Sequence, residues 1–486
     1  MAEKPQSQSY NEVDGEKQKF TLTEPELTEN EKLLVKSYLR KIDNRVLPVV
    51  ILLYMCSSLD RSNIGVAFVN GLITALNLSS SLQGTAAAIF SVTYTIFEAP
   101  SNILLKKFKP RNWFSFIVVG WSVSCMFLAL CKTSTSFIIV RAILGAFESG
   151  FTPGVVAYLP YWYARNEIGA RMTLFFIALP IAGMFGAPIG GGLVSINVPN
   201  LKPYQTLFLF EGALTFLIGV MTYFVMQDYP DTATFFTPEE RELALRRISA
   251  SMGLASKSKV SNKQTWKAIL DWKVYVFGFI GYGINNSLYI IQLYGPTLIK
   301  SMGYKNTTAT FLSGLPFAFG FIGVLLGAYY IDKIKIWKAY MLALPINITG
   351  YALAAFAKGS VIRLVGICVV GFATCGIIPF TATWMSTNSG SVAKRMVAVA
   401  IYSSIGGFAG IATPYMFGTK YAPEFMLGNV FNLALLGLTM LSVIFMKFYL
   451  EAQNKRRETN PVDVSHLSYE EQELLNDEHP EFRYRL

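Results

Sequence analysis

Residues 141–165 read RAILGAFESGFTPGVVAYLPYWYAR, a run long and apolar enough to cross about 30 Å of hydrocarbon. Within that length lie an arginine, Arg141, and a glutamate, Glu148. Ionisable side chains are costly inside a bilayer, and those retained there usually line a water-filled path or a binding site. Two helical turns separate the pair, so both side chains share one face about 10 Å apart. Gly145, between them, thins that face and lets a neighbouring helix or a solute come close. A polar stripe of this kind points to a translocation pathway.

Outward from this stretch, most of the chain is membrane. Of 486 residues, 52% are hydrophobic and only 15% charged, where a soluble chain would carry about a quarter charged residues. Apolar windows of roughly 20 residues fall near 46–68, 82–105, 112–131, 136–163, 168–195, 205–227, 272–299, 306–331, 338–357, 360–386, 394–420 and 426–449. They predict an all-α integral membrane protein in two six-span blocks, 46–227 and 272–449. A polar segment, 228–271, separates the blocks, and tails occupy 1–45 and 450–486.

With the N-terminus placed inside, the basic residues gather on the inner side. Those left outside are Lys132, Lys202, Lys300, Lys305, Lys358, Arg363 and Lys420. The asymmetry puts both termini in the cytosol. It also accounts for the net charge of +11 as an orientation signal, so no nucleic-acid partner is expected. The first apolar run is a full span preceded by polar residues, which is not the pattern of a cleavable signal peptide. Cys56, Cys125, Cys131, Cys368 and Cys375 form no paired motif and read as small buried hydrophobes. Both histidines, His466 and His479, lie in the tail, whereas a haem or zinc enzyme needs them in the bundle. The chain has no GxxxxGK[ST] run, so it is not itself an ATP-driven pump. No cofactor or metal is expected, and no enzyme.

Further charges sit in the first block. The first span carries YMCSSLDRSNIGVAF, with Asp60 and Arg61; at 1.5 Å per residue Asp60 lies about 21 Å above the inner end. Arg141, on a helix running the other way, reaches a comparable height. Asp60 with Arg141, and Arg61 with Glu148 by a longer reach, are the pairings open to these residues. Ion pairs that merely permit insertion are the competing reading. Glu98 closes the second span above a basic loop with Lys106 and Lys107, and Glu211 stands in the outer half of the sixth. The second block has almost no charge. Its seventh span offers Asn285, Tyr289 and Gln292 on one face, and its tenth offers Trp384 and Asn388. Hydrogen bonding between helices is the alternative use of such amides. Two cytosolic helices are also predicted. Residues 31–45, EKLLVKSYLRKIDNR, alternate basic and apolar positions, which suits a helix along the inner membrane surface, with a plain solvated helical extension as the alternative. Thr237 and Glu240 form a capping box, with Pro238 at the first position of a helix under the bundle.

Several stretches together resemble a known family. They are KIDNRVLP (41–48), LDRSNIGVA (59–67), EAPSNILLKKFKP (98–110), RAILGAFESGFTPG (141–154), YWYARNE (161–167), FLFEG (208–212), YGPTLIKSMGY (294–304) and PEFRYRL (480–486). The chain resembles the major facilitator superfamily, its anion:cation symporter branch, and within that the fungal allantoate, nicotinate and pantothenate permease group. The resemblance implies 12 transmembrane helices in two bundles with cytoplasmic termini. It further implies import of a small organic anion with protons, by alternating access. Arg61 or Arg141 would neutralise the substrate carboxylate; Asn285, Tyr289, Gln292, Trp384 and Asn388 would shape the opposite wall. Glu148 and Asp60 would carry protons, and Glu98, Lys106 and Lys107 would gate. A monomer in the lipid bilayer of the plasma membrane is the expected form, with the endoplasmic reticulum and vacuole as other addresses. The first rival is a proton-coupled exporter, since GAPIGG (186–191) resembles an antiporter signature. A non-transporting nutrient receptor is the second; it would need a larger cytosolic module than these tails provide.

Overall fold

The computed structural model describes residues 27–164, 167–252, 266, 269–331, 333–389, 392–460, 464, 475–480 and 482–486. Among these residues the chain is all helix, with no strand. Spans 1 to 6 are residues 47–75, Ser80–Lys107, Pro110–Leu130, Ser134–Tyr161, Ile168–Ser195 and Pro203–Val225. Spans 7 to 12 are Trp272–Ser301, Asn306–Tyr330, Ile336–Phe356, Ser360–Thr387, residues 392–416, and Met426–Thr459. The predicted windows find all of them. Eleven helical stretches are long and apolar enough to cross a membrane, and span 2 completes the set. Span 2 is less apolar because part of it faces protein. Ser91 lies against Gly410, Thr95 against Gly407, and Tyr94 under Arg61.

Local chemistry sets the ends. Ser79 and Thr133 accept amide hydrogens at the starts of spans 2 and 4, and proline opens spans 3 and 6, where no amide hydrogen is needed. Span 1 is broken near its outer end by a π turn, Phe68–Leu72. Gly71 takes φ +98° there, a conformation that a side chain would strain. The preceding Asn70 donates to Val66 O (2.8 Å) and across to Thr310 Oγ1 of span 8 (3.3 Å).

The two halves meet in the middle and at the outer side. A Cβ on Gly65 would sit 2.3 Å from the carbonyl oxygen of Leu293, so spans 1 and 7 touch backbone to backbone there. Phe317 and Phe311 of span 8 pack on Gly183 and Gly191 of span 5, and Tyr415 of span 11 packs on Gly84 of span 2. These approaches lie at the middle and outer levels of the two bundles.

On the inner side each half has its own polar assembly. Helix Glu29–Arg45 runs on toward span 1 and buries one side, Tyr38 and Ile42, against protein. Lys41 Nζ and Ser37 Oγ donate to Glu240 (2.7 and 2.8 Å). Glu240 belongs to helix Pro238–Met252, whose Thr237 capping box is present. Asp43 accepts from Arg171 (2.8 Å) and Tyr163 (2.8 Å), and Arg247 pairs with Glu167 (2.8 Å).

The second half is tied by the C-terminal segment. Asp477 is buried between Lys273 and Lys394 and accepts from both. Asn454 bonds both backbone groups of Tyr484 (2.9 Å each), and Arg457 donates to Phe482 O (2.7 Å). Trp384 Nε1 and Asn388 Nδ2 both donate to Arg485 O (3.0 Å each), while Asn388 Oδ1 accepts from Arg485 N (2.8 Å). The segment therefore joins the inner ends of spans 7, 10, 11 and 12.

Burial alone would push the Asp477 carboxyl up, but the two ammonium groups outweigh it and hold the carboxyl below its ordinary range. A carboxyl depressed on folding stabilises at pH values above its unfolded value. That contribution is lost as pH falls through the lowered folded value. At neutral pH, Asp477→Asn strands two lysines beside Asp271, at a cost of about 3 kcal/mol. The expected result is roughly hundredfold faster hydrogen exchange in the C-terminal segment, read by mass spectrometry, with span 3 unaffected.

Candidate functional site

Ser57 and Arg61 stand one turn apart on span 1 and therefore present a common face to span 4. Arg61 Nε donates to Glu148 Oε1 at 2.5 Å, and Ser57 Oγ donates to the same oxygen at 2.6 Å. Of the two pairings the sequence leaves open, this is the one formed. Glu148 is wholly buried, and its second oxygen has no partner. Gly145 permits the arrangement: a Cβ there would lie 2.4 Å from Thr93 Oγ1 and 2.5 Å from Phe90 O. Span 2 can thus press Phe90 and Tyr94 against the charges.

The Arg61 guanidinium lies 4.7 Å from the Tyr94 ring centroid and 5.7 Å from that of Phe90; Arg141 lies 5.1 Å from the Phe90 ring. One aromatic ring is thus flanked by two cations, each attracted to its π-electrons. Arg141 Nε and Nη1 are buried without acceptors, and so is Arg61 Nη2. Asp60 follows the helix round by about 100° and faces the interior of the first bundle. Its Oδ1 receives only long contacts, from Cys125 Sγ and Asn63 Nδ2 (3.5 Å each), and Oδ2 receives none. Asp60 and Arg141 feel each other's charge without forming an ion pair.

From the second half, Tyr289 comes within electrostatic reach of Arg61, as does Tyr54 of span 1. Asn285 and Tyr289 are half-buried, beside Gly406 and Gly410. Gln292 is buried and donates to Ser58 O at 3.4 Å, so its amide serves the contact between halves.

Trp384 and Asn388 lie elsewhere. Their polar groups are taken by Arg485, and Trp384 packs on Phe277 and Tyr340. The expectation that they shape the substrate wall is corrected, because the C-terminal segment already occupies them. Glu98 stands one turn inward of Tyr94, half-buried and within reach of the Arg61 charge. Lys107 is exposed, and the side chain of Lys106 lies outside the described residues. Ser57, Phe90 and Tyr94 are site residues that the charge pattern passes over. The signal for Ser57 was its place four residues before Arg61.

An alanine at position 65 needs the Leu293 carbonyl to move, a repacking that costs about 1–3 kcal/mol. Gly65→Ala should therefore favour the outward-open form by about fivefold or more. A Ser91→Cys reporter, buried against Gly410, would then react correspondingly faster with an impermeant thiol reagent added outside.

With this geometry in hand, the comparisons with known proteins are informative. The family profile described as Major Facilitator Superfamily matches residues 50–414. The chain is 30% identical to the protein named "Putative tartrate transporter" from Agrobacterium vitis, over 87% of this chain and 93% of that one. It is 28% identical to "MFS transporter prlL" from Fungal sp. (strain NRRL 50135), over 92% and 93%. It is 26% identical to the "Quinolone resistance transporter" from Acinetobacter baumannii, over 88% and 98%. Among solved structures it resembles a bacterial homolog of the human lysosomal transporter Spinster, in an inward-facing and occupied conformation. The TM-score there is 0.62 at 14% identity, covering 82% of this chain and 95% of that one.

Proposed function

Because the chain belongs to the Major Facilitator Superfamily, and is a multi-pass secondary transporter rather than an enzyme, we propose that it imports a small organic anion together with protons. The carrying observation is the Arg61–Glu148 pair. A half-buried guanidinium holds one carboxylate oxygen, keeps its buried Nη2 unpartnered, and lies where aromatic side chains of both halves converge. A substrate carboxylate is the ligand that such a fork accepts best.

Competition for the guanidinium supplies the coupling. An arriving carboxylate takes Arg61, and Glu148 is left without its counter-ion in a site with little water. An unpaired buried charge is costly, so Glu148 takes up a proton instead. By linkage, proton and anion then favour each other's binding. When the anion leaves toward the cytosol, the ion pair re-forms and the proton is released. Arg141 adds standing positive charge, Asp60 is a further proton acceptor, and Asn285 and Tyr289 form the opposite wall. The tyrosines around Arg61 suit an acid with a ring or polar body, as in nicotinate, pantothenate or allantoate. The name of the Agrobacterium relative, "Putative tartrate transporter", agrees with a carboxylate cargo. Gating by Glu98, Lys106 and Lys107, and residence in the plasma membrane as a monomer, belong to the same reading.

The test is uptake of labelled carboxylates into proteoliposomes under an imposed pH gradient. Wild type should accumulate the anion from the acidic side; net efflux of cargo toward that side would favour export instead. Glu148→Gln should lose acceleration by the gradient while retaining anion exchange, and full gradient dependence in that variant overturns the coupling role. Arg61→Lys keeps the charge and loses the fork, so KM should rise by about tenfold or more. Unchanged affinity for every transported acid would remove Arg61 from the site.

A further inference from the structure

Glu211 of span 6 is 5% exposed, and neither of its carboxylate oxygens has a hydrogen-bond partner. Tight packing of span 6 on span 3 holds it in place, with Gly212 against Ser122 O and Met126. Asp60 and Glu211 act on each other's charge, and Asn63 reaches toward Glu211. Cys125 Sγ contacts Asp60 Oδ1 at 3.5 Å and Phe208 O at 3.7 Å, the latter one turn before Glu211. Span 1 also presents Cys56, and span 6 Thr215. Arg141 of span 4 faces the same interior. Span 5 brings no charge to this level, since its Arg171 lies at the inner end, bonded to Asp43.

Counting charge gives the inference. Among the described residues, the interior of the first bundle holds Arg61 and Arg141 against Asp60, Glu148 and Glu211, with half-buried Glu98 nearer its inner end. Arg61 is matched by Glu148. Arg141 can offset only one of the remaining two, and a second uncompensated carboxylate at this depth is far costlier than its neutral acid. We propose that Glu211 is a second proton site of the transport cycle, sharing one proton with Asp60. Asp60 adjoins Arg61 in the chain, so movement of span 1 as the anion binds reaches the pair directly. The inference rests on the proton-coupled reading above and adds to it a group outside the substrate site.

Infrared pH titration of the purified full chain in lipid nanodiscs reads the proton itself, because only a protonated carboxyl shows the acid C=O stretch. Wild type should show this band at neutral pH and lose it on alkalinisation. Glu211→Gln should abolish or displace the band, and Glu211→Asp should restore it at a shifted position. In proteoliposomes Glu211→Gln should carry its anion with one proton fewer per turnover. The proposal is overturned by a band identical in wild type and Glu211→Gln, or by an unchanged proton-to-anion ratio in an active Glu211→Gln protein. If the glutamine variant does not fold, an Asp variant with an unshifted band overturns it equally. Wild-type uptake indifferent to the pH gradient would sink the symport reading, and with it any carried proton, whatever the infrared band shows.

Discussion

The structure depends on one hydrogen-bonded ion pair formed in a place with little water. Arg61 and Glu148 come from spans 1 and 4, and each would be prohibitively costly to bury alone. Their union fixes the relative height and rotation of two helices, and Ser57 locks the carboxylate oxygen they share. Span 2 then closes over the pair with Phe90 and Tyr94, a fit that Gly145 alone makes room for. The pair is complete on one side only. The unpartnered atoms, Arg61 Nη2 and Glu148 Oε2, are what give it chemistry beyond cohesion.

Closure on the outer side rests on a different principle. Glycines at 65, 84, 183 and 191 let backbone and aromatic rings of the opposite half come within contact. In a bilayer, where apolar surface is satisfied by lipid as well as by protein, such close fits supply much of the helix association. They involve few hydrogen bonds, of which Gln292 to Ser58 O and Asn70 to Thr310 are two. An interface of this composition can separate and re-form without stranding many polar groups.

Much of the fold was legible because hydrocarbon imposes a length. Twelve apolar windows stand out of the sequence, and the helices occupy them with ends shifted by a few residues, apart from span 1, which continues through its π turn to Ala75, and span 12, which runs on to Thr459. The charged cluster was legible for the same reason: Asp60, Arg61, Arg141 and Glu148 are conspicuous where charge is costly. Which of them pair was not, because Asp60 and Arg61 are neighbours and only the rotation of span 1 decides which one meets span 4. Trp384 and Asn388 were misplaced because nothing local announces that the C-terminal segment folds back and claims them. PEFRYRL was visible as a motif, but its docking depends on residues from four spans. Helix Glu29–Arg45 alternates basic and apolar positions, a pattern that a membrane surface and a protein groove both satisfy, and nothing local names the protein side that buries Tyr38 and Ile42.

The inner-side assemblies differ in one respect that bears on movement. Glu240, Glu167 and Asp43 fasten helices Glu29–Arg45 and Pro238–Met252 to the first bundle. Asp477, Asn454 and Asn388 fasten the C-terminal segment to the second. Each bundle thus wears its own collar. A bundle that turns can carry its own collar with it, while the close glycine contacts that turning must loosen lie at the middle and outer levels of the spans.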